Sequence, residues 1–182
     1  SFILAYLARE EQRTEEVDQE VTEQAFRGAD LRLKDSVVTM GVYTSHRAIR
    51  PGKPCLVGLK ILINSNVYIQ GHEHPTFPLV LSMKPLDVFT IEGLYYPQGE
   101  HVETEEEGGA VIHRGIIWLW VHLEADVRAP EKNHRVQFKL QFQSCDDTGC
   151  QLPQSLEFAI KVEIDPGAAI RIIRHREIFG TI

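Results

Sequence analysis

The chain predicts an all-β domain, an antiparallel sandwich or barrel, on three observations. Apolar residues recur with period two in three separate segments. Turn-forming Pro and Gly clusters divide these segments into short lengths. No long helical pattern separates them after about residue 31. Alternation of this kind sends one set of side chains into a core and the other outward, and several such strands in succession favour an antiparallel architecture.

Residues 1–30 read as an N-terminal helical or linker segment. Leu4, Leu7 and Ala8, then Val17, Val21 and Ala25, recur at helix-like spacing, while seven acidic residues between Glu10 and Glu23 keep most of one face wet. The main domain is expected over 31–167. A first strand is predicted at Leu31–Met40. In the next, Val57, Leu59, Ile61 and Ile63 alternate with Gly58, Lys60 and Leu62. Further strands are expected at Val67–Gln70, Leu79–Ser82, Val88–Tyr95 and Ile116–Glu124. In the last of these, Ile117, Leu119, Val121 and Leu123 form a core face. Trp118, Trp120 and His122 form the other, to be packed beneath a loop or the N-terminal segment. The alternations at Val136, Phe138, Leu140 and Phe142, and at Phe158, Ile160, Val162 and Ile164, complete the sheet pattern. Pro51-Gly52, Pro78, Pro97-Gln98-Gly99 and Gly108-Gly109 mark the turns. Residues 168–182 form a C-terminal extension or interdomain linker whose mixed Ile and Arg pattern does not choose between helix and strand.

Composition narrows the function. The 182 residues are 43% hydrophobic and 25% charged, with a formal net charge of -7. That balance argues against a nucleic-acid surface, which needs clustered cations. The longest apolar runs are only a few residues, so no transmembrane segment is expected in this piece. The chain opens Ser1-Phe2-Ile3 rather than on methionine, which reads as a processed or excised fragment. There is no phosphate-binding Gly-rich loop, HExxH or GxSxG pattern.

The sharpest chemical feature is Cys145-Asp146-Asp147-Thr148-Gly149-Cys150. Gly149 and the aspartates favour a tight turn that can bring the two sulfurs together. Loop-closure entropy over so short an interval is worth only about 2 kcal/mol. A bridge from Cys55 to either distal cysteine would give roughly double. The close pair is thus a poor staple for a chain that already has a sizeable core, which moves weight towards redox chemistry. A structural short-loop disulfide remains the alternative. Metal binding by the pair with His72, His74, His113 or His122 lacks a familiar ligand spacing, so neither metal nor cofactor is expected. Cys55, with no cysteine nearby, reads as a buried unpaired thiol.

The run from Phe138 through Cys145 and Cys150 to Gln151-Leu152-Pro153 resembles the active segment of the N-terminal periplasmic domain of the thiol:disulfide interchange protein DsbD. Three upstream regions resemble that family in the same order. They are Pro51-Gly52-Lys53 with the strand to Ile63, Pro75-Thr76-Phe77-Pro78, and Gly93-Leu94-Tyr95-Tyr96-Pro97. Together they span roughly residues 35–165. The resemblance implies an immunoglobulin-like antiparallel β-sandwich. It implies a periplasmic or otherwise extracytoplasmic domain that passes reducing equivalents between a thioredoxin-like domain or protein and disulfide-containing proteins, with a membrane-embedded reductase as a further partner. Cys145 and Cys150 map onto the reactive pair, with Cys150 forming the mixed disulfide and Cys145 resolving it. This chain has one residue fewer between its cysteines than the family's best-known pattern, and Gln151-Leu152-Pro153 replaces an aromatic-Pro-Pro continuation.

Two further roles are weighed against plainer ones. Asp146 and Asp147 either tune the sulfurs electrostatically, since nearby carboxylates disfavour a thiolate, or simply shape the turn. Tyr95 or Tyr96 is the candidate cap over the sulfurs, the plain alternative being local packing at a strand end. The competing reading of the whole chain is a redox-inactive β-sandwich interaction module.

Overall fold

The computed structural model describes residues 21–104, 108–169 and 173–180. Residues 1–20, which hold most of the predicted N-terminal helix, and Glu105, Glu106 and Glu107 lie outside them. Among the described residues, 21–25 are helical (α1) and the rest of the chain to Ile164 is almost entirely strand and turn.

The strands are β1 (Leu31–Lys34), β2 (Val38–Thr44), β3 (Ala48–Ile49), β4 (Pro54–Ile63), β5 (Tyr68–Gln70), β6 (Val80–Met83), β7 (Phe89–Tyr95), β8 (Glu100–Val102), β9 (Ala110–His113), β10 (Ile116–Ala125), β11 (Asn133–Phe142), β12 (Ser144–Asp146), β13 (Gly149–Cys150) and β14 (Gln154–Ile164). A short helix, α2 (Arg176–Phe179), comes after them. The order β1-β2-β4-β10-β7 makes one wall, β3-β14-β11-β6 the second, and β13-β12-β5-β9-β8 a smaller third sheet. Among the described residues every pairing is antiparallel except the short parallel contact of β3 with β14. This is an immunoglobulin-like all-β sandwich with a short N-terminal helical segment.

The period-two segments make the core. Val57, Leu59, Ile61 and Ile63 of β4 and Leu119, Val121 and Leu123 of β10 are buried from one wall. Val136, Leu140, Ile160 and Val162 are buried from the other. Burying one such side chain is worth roughly 1.5–3 kcal/mol, so these rows dominate the fold's stability.

One predicted strand is divided. The segment Leu31–Met40 is a hairpin, because Asp35 Oδ1 accepts from the amides of Val37 (2.7 Å) and Val38 (2.8 Å) and turns the chain back on itself. A short polar side chain that bonds its own backbone competes with strand continuation.

The second face of β10 is covered from both ends of the chain. Trp118 and Trp120 stack at 5.0 Å, Tyr43 lies 5.5 Å from Trp118, and Lys60 Nζ sits 5.7 Å from the rings of both Trp118 and Phe26. Phe179 of α2, 1% exposed, meets Trp120 edge-on. Asp30 ties these segments together: it accepts from the Thr44 amide and hydroxyl, from Arg174 at 2.5 Å and from His175 at 3.1 Å. Burial works to raise the pKa of Asp30, but the Thr44 amide and Arg174 outweigh it and hold the carboxyl below its usual range.

Candidate functional site

The cysteine pair lies in the connection between β11 and β14, the two longest partners of the second wall. Their ladder runs from Asn133↔Glu163 to Phe142↔Gln154. Beyond Phe142 the chain leaves that sheet and joins the third one, where Ser144 and Cys145 pair with Ile69 and Tyr68 of β5. It then turns through Asp147 and Thr148 and returns as β13, so that Cys145 stands directly opposite Cys150 and Asp146 opposite Gly149.

The turn arises from its residues. Asp146 Oδ1 accepts from the Thr148 amide at 2.8 Å and from the Thr148 hydroxyl at 2.6 Å. The Thr148 hydroxyl and then its amide hold the Asp146 carboxyl below the usual range, so it stays an anion beside the pair. Gly149 has φ 134°, a conformation that costs a residue with a Cβ. Outside the turn, the Gln151 amide donates to the Ser144 carbonyl at 2.8 Å and Gln143 Nε2 to the Gln151 carbonyl at 3.2 Å.

Cys145 and Cys150 form a disulfide, with S–S 2.02 Å and Cα–Cα 4.0 Å. Its two halves differ in surroundings. Cys145 is 2% exposed, whereas Cys150 is exposed, as are Asp147, Thr148 and Gly149. Leu152, two residues on, is 85% exposed. Of the two cysteines, Cys150 is therefore the one at the surface.

Gln70, at the end of β5, supplies a contact that sequence reasoning misses. Its Nε2 donates to Cys145 Sγ at 3.4 Å, and its Oε1 is buried without a partner among the described residues. The two residues are 75 positions apart, and no motif marks the glutamine. Its one legible trait is a place in a predicted strand.

The remaining candidates sit elsewhere around the turn and the sandwich. Asp146 shapes the turn, and Asp147 occupies its exposed tip. The Tyr96 hydroxyl accepts from the Leu81 amide at 2.9 Å, and its ring stacks on His72 at 3.8 Å. Burial raises its pKa, opposed by the Leu81 amide. Tyr95 ends β7 opposite Trp120 and is 60% exposed. The structure gathers Cys145, Cys150, Asp146 and Gln70, and it engages the tyrosines with β6, β10 and the loop after β5.

Among the described residues no group of His, Cys, Asp and Glu is arranged to hold a metal ion. His72 Nδ1 is bonded to the Leu79 carbonyl, and His74 Nδ1 accepts from the amides of Thr76 and Phe77. His113 is buried on β9, which lowers its pKa, an effect that Glu73 opposes. Cys55 is fully buried and unpaired, and burial pushes its thiol pKa up, away from reactivity. No described helix is long and apolar enough to cross a membrane.

No protein family model matches the chain, and no curated protein matches it. Among solved structures, it is similar to the reduced N-terminal domain of DsbD from Neisseria meningitidis. The identity is 20%, with 67% of this chain and 85% of that one covered and a TM-score of 0.41. It is also similar to a chain in the complex between the DsbD and PilB N-terminal domains of the same organism, at 16% identity, 74% and 87% coverage and a TM-score of 0.43. A third is the N-terminal periplasmic domain of ScsB from Proteus mirabilis, at 6% identity and a TM-score of 0.43, over 75% of this chain and 52% of that one. All three TM-scores lie below 0.5, and the chemistry of the site rests on its own geometry.

Proposed function

We propose that this domain is a thiol–disulfide electron carrier, passing reducing equivalents between a thioredoxin-like domain or protein and disulfide-containing proteins outside the cytoplasm. One observation carries the reading. The disulfide joins an exposed cysteine to a buried one across a two-residue turn, in a hairpin at the edge of the third sheet. A bridge between one surface residue and one enclosed residue suits ordered exchange better than it suits bracing.

The steps balance without a further reagent. A thiolate of the reducing partner attacks Cys150 Sγ; the Cys145–Cys150 bond breaks as the intermolecular bond forms, and Cys145 leaves as a thiolate. The partner's second thiolate then attacks its own sulfur in the mixed disulfide and releases Cys150, leaving the domain as a dithiol. In the opposite direction, Cys150 attacks an oxidised client and Cys145 resolves the product. The exposed Leu152 offers an apolar contact beside the attacked sulfur. Asp146 and Asp147 disfavour a free thiolate and so restrain exchange with unselected thiols. A capping role for Tyr95 or Tyr96 would act through the loop after β5, where Tyr96 stacks on His72.

The test is anaerobic exchange with a thioredoxin-like dithiol. Wild type should be reduced rapidly; offered instead a partner whose single remaining active-site cysteine carries thionitrobenzoate in a mixed disulfide, Cys145→Ser should form an intermolecular disulfide through Cys150 as thionitrobenzoate leaves. Cys150→Ser should trap little, because Cys145 is buried. A wild-type disulfide that stays inert towards an active partner, with stable partner binding unaffected by removing both cysteines, would establish the structural-module reading instead.

A further inference from the structure

We infer that Gln70 is the group that stabilises Cys145 as the leaving thiolate, and so sets which sulfur of the pair is surrendered. This inference rests on the exchange reading above and specifies how its buried half works.

The starting point is an imbalance in the oxidised protein. Gln70 is 7% exposed, and its amide has a donor directed at a disulfide sulfur and an oxygen with no partner among the described residues. A disulfide sulfur is a poor acceptor, and an unpartnered buried carbonyl oxygen is costly to keep. A leucine or methionine would fill the same space without that cost. The amide is therefore badly matched to the state with the bond intact.

The same amide is well matched to the reduced state. When the partner thiolate attacks Cys150, negative charge develops on Cys145 Sγ, which already lies 3.4 Å from Gln70 Nε2. A hydrogen bond to an ion is roughly twice as strong as one between neutral groups. It lowers the pKa of the leaving thiol and hastens departure, since a leaving thiol of lower pKa leaves faster. Once Cys145 takes up a proton, its S–H can turn to the free Gln70 Oε1. One amide thus serves both forms of the reduced cysteine and neither sulfur of the oxidised pair so well.

Backbone pairing fixes the amide in place. The Gln70 N–H donates to the Gln143 carbonyl at 3.0 Å, and Gln70 pairs with Ile112 of β9, so the residue is held from both neighbouring strands. The charged and titratable groups on β5 and the flanking elements are Asp146 and Asp147 in the hairpin, Tyr68 on β5, His72 and Glu73 after it, the buried His113 of β9 opposite Ile69, and Arg114, whose guanidinium lies 5.2 Å from the Tyr68 ring centroid. The two aspartates oppose a thiolate. Gln70 is the neutral donor that offsets them at the buried sulfur.

The experiment titrates Cys145 in a Cys55→Ala, Cys150→Ser background by thiolate ultraviolet absorbance, with and without Gln70→Met. It also measures reduction of the otherwise native disulfide by dithiothreitol across pH. Gln70→Met should raise the Cys145 pKa by about one unit and slow reduction about threefold, because the leaving sulfur carries only part of the charge in the transition state. Gln70→Glu, which keeps the shape and oxygens but removes the N–H donor, should raise the pKa at least as far and serves if the methionine variant does not fold. An unchanged Cys145 pKa in a folded variant overturns the inference. Because that titration uses no partner protein, a wild type that fails to exchange with dithiol proteins while its Cys145 pKa still responds to Gln70 overturns the carrier function and upholds the hydrogen bond.

Discussion

Two hairpins in this molecule are turned by an aspartate in nearly the same way and held by different forces. In the β1–β2 hairpin, Asp35 accepts two amides and β2 then runs with all seven residues buried. In the β12–β13 hairpin, Asp146 accepts an amide and a hydroxyl, but only two residue pairs join the strands and both residues of β13 are exposed. The first hairpin is retained by the sandwich. The second buries Ser144 and Cys145 of β12 and holds the exposed β13 to them by a covalent bond. Turn chemistry alone therefore says little about stability, and a disulfide that substitutes for packing can be opened without opening the core.

The largest effect expected from that contrast is on exchange. Replacing Cys145 or Cys150 by Ser should abolish catalytic turnover of disulfides with a thioredoxin-like partner, whereas Cys55→Ala should leave it intact. Turnover that survives loss of Cys150 would break the distinction between the exposed and buried sulfurs. Next comes stability. Leu119→Ala should cost about 2–5 kcal/mol in either redox state, while reducing the disulfide should cost no more than about 2 kcal/mol. Denaturant unfolding of both forms measures this. A reduction penalty as large as the leucine truncation would make the bridge a brace after all.

A smaller effect comes from the Asp30 junction. Its carboxyl pKa is depressed in the folded protein, so the stability it contributes is present above its ordinary pKa near ~4 and is lost as pH falls through the folded value. Asp30→Asn should flatten the acid side of the stability profile and weaken the docking of α2, read as increased amide exchange at Phe179. The smallest expected effect sharpens the comparison of turns directly. Asp35→Ala should cost about 1 kcal/mol of global stability. Asp146→Ala should leave the unfolding midpoint unchanged and alter the pH dependence of disulfide reduction.

Much of the sandwich is legible because its strands are half-buried and alternate. The rows at Val57–Ile63 and Val136–Phe142 carry their period in the sequence, and the inward face of β10 can be read residue by residue. The short elements cannot. β8 and β9 flank an acidic stretch with no alternation, and they form through pairing with each other and with β5. The division of Leu31–Met40 escapes a pattern reading because Asp35 sits among residues that alternate on both sides. At the site, the cysteines and the aspartate turn are visible because they are local. Gln70 is not, because its meaning arises only when β5 is laid against β12. The sequence points to a loop or the N-terminal segment as a cover for Trp118 and Trp120, while the contribution of α2 through Phe179 depends on the distant Asp30–Arg174 contact.

The buried Cys55 gives the molecule an internal clock. Its thiol lies in the wall of the sandwich, where Leu123 of β10 is its cross-strand partner, and it is fully enclosed. An alkylating reagent can therefore count two separate events in one chain. Labelling at the exposed Cys150 marks the breaking of the bridge, and labelling at Cys55 marks opening of the sandwich wall. The interval between them measures how long the domain remains whole once its bridge has been broken.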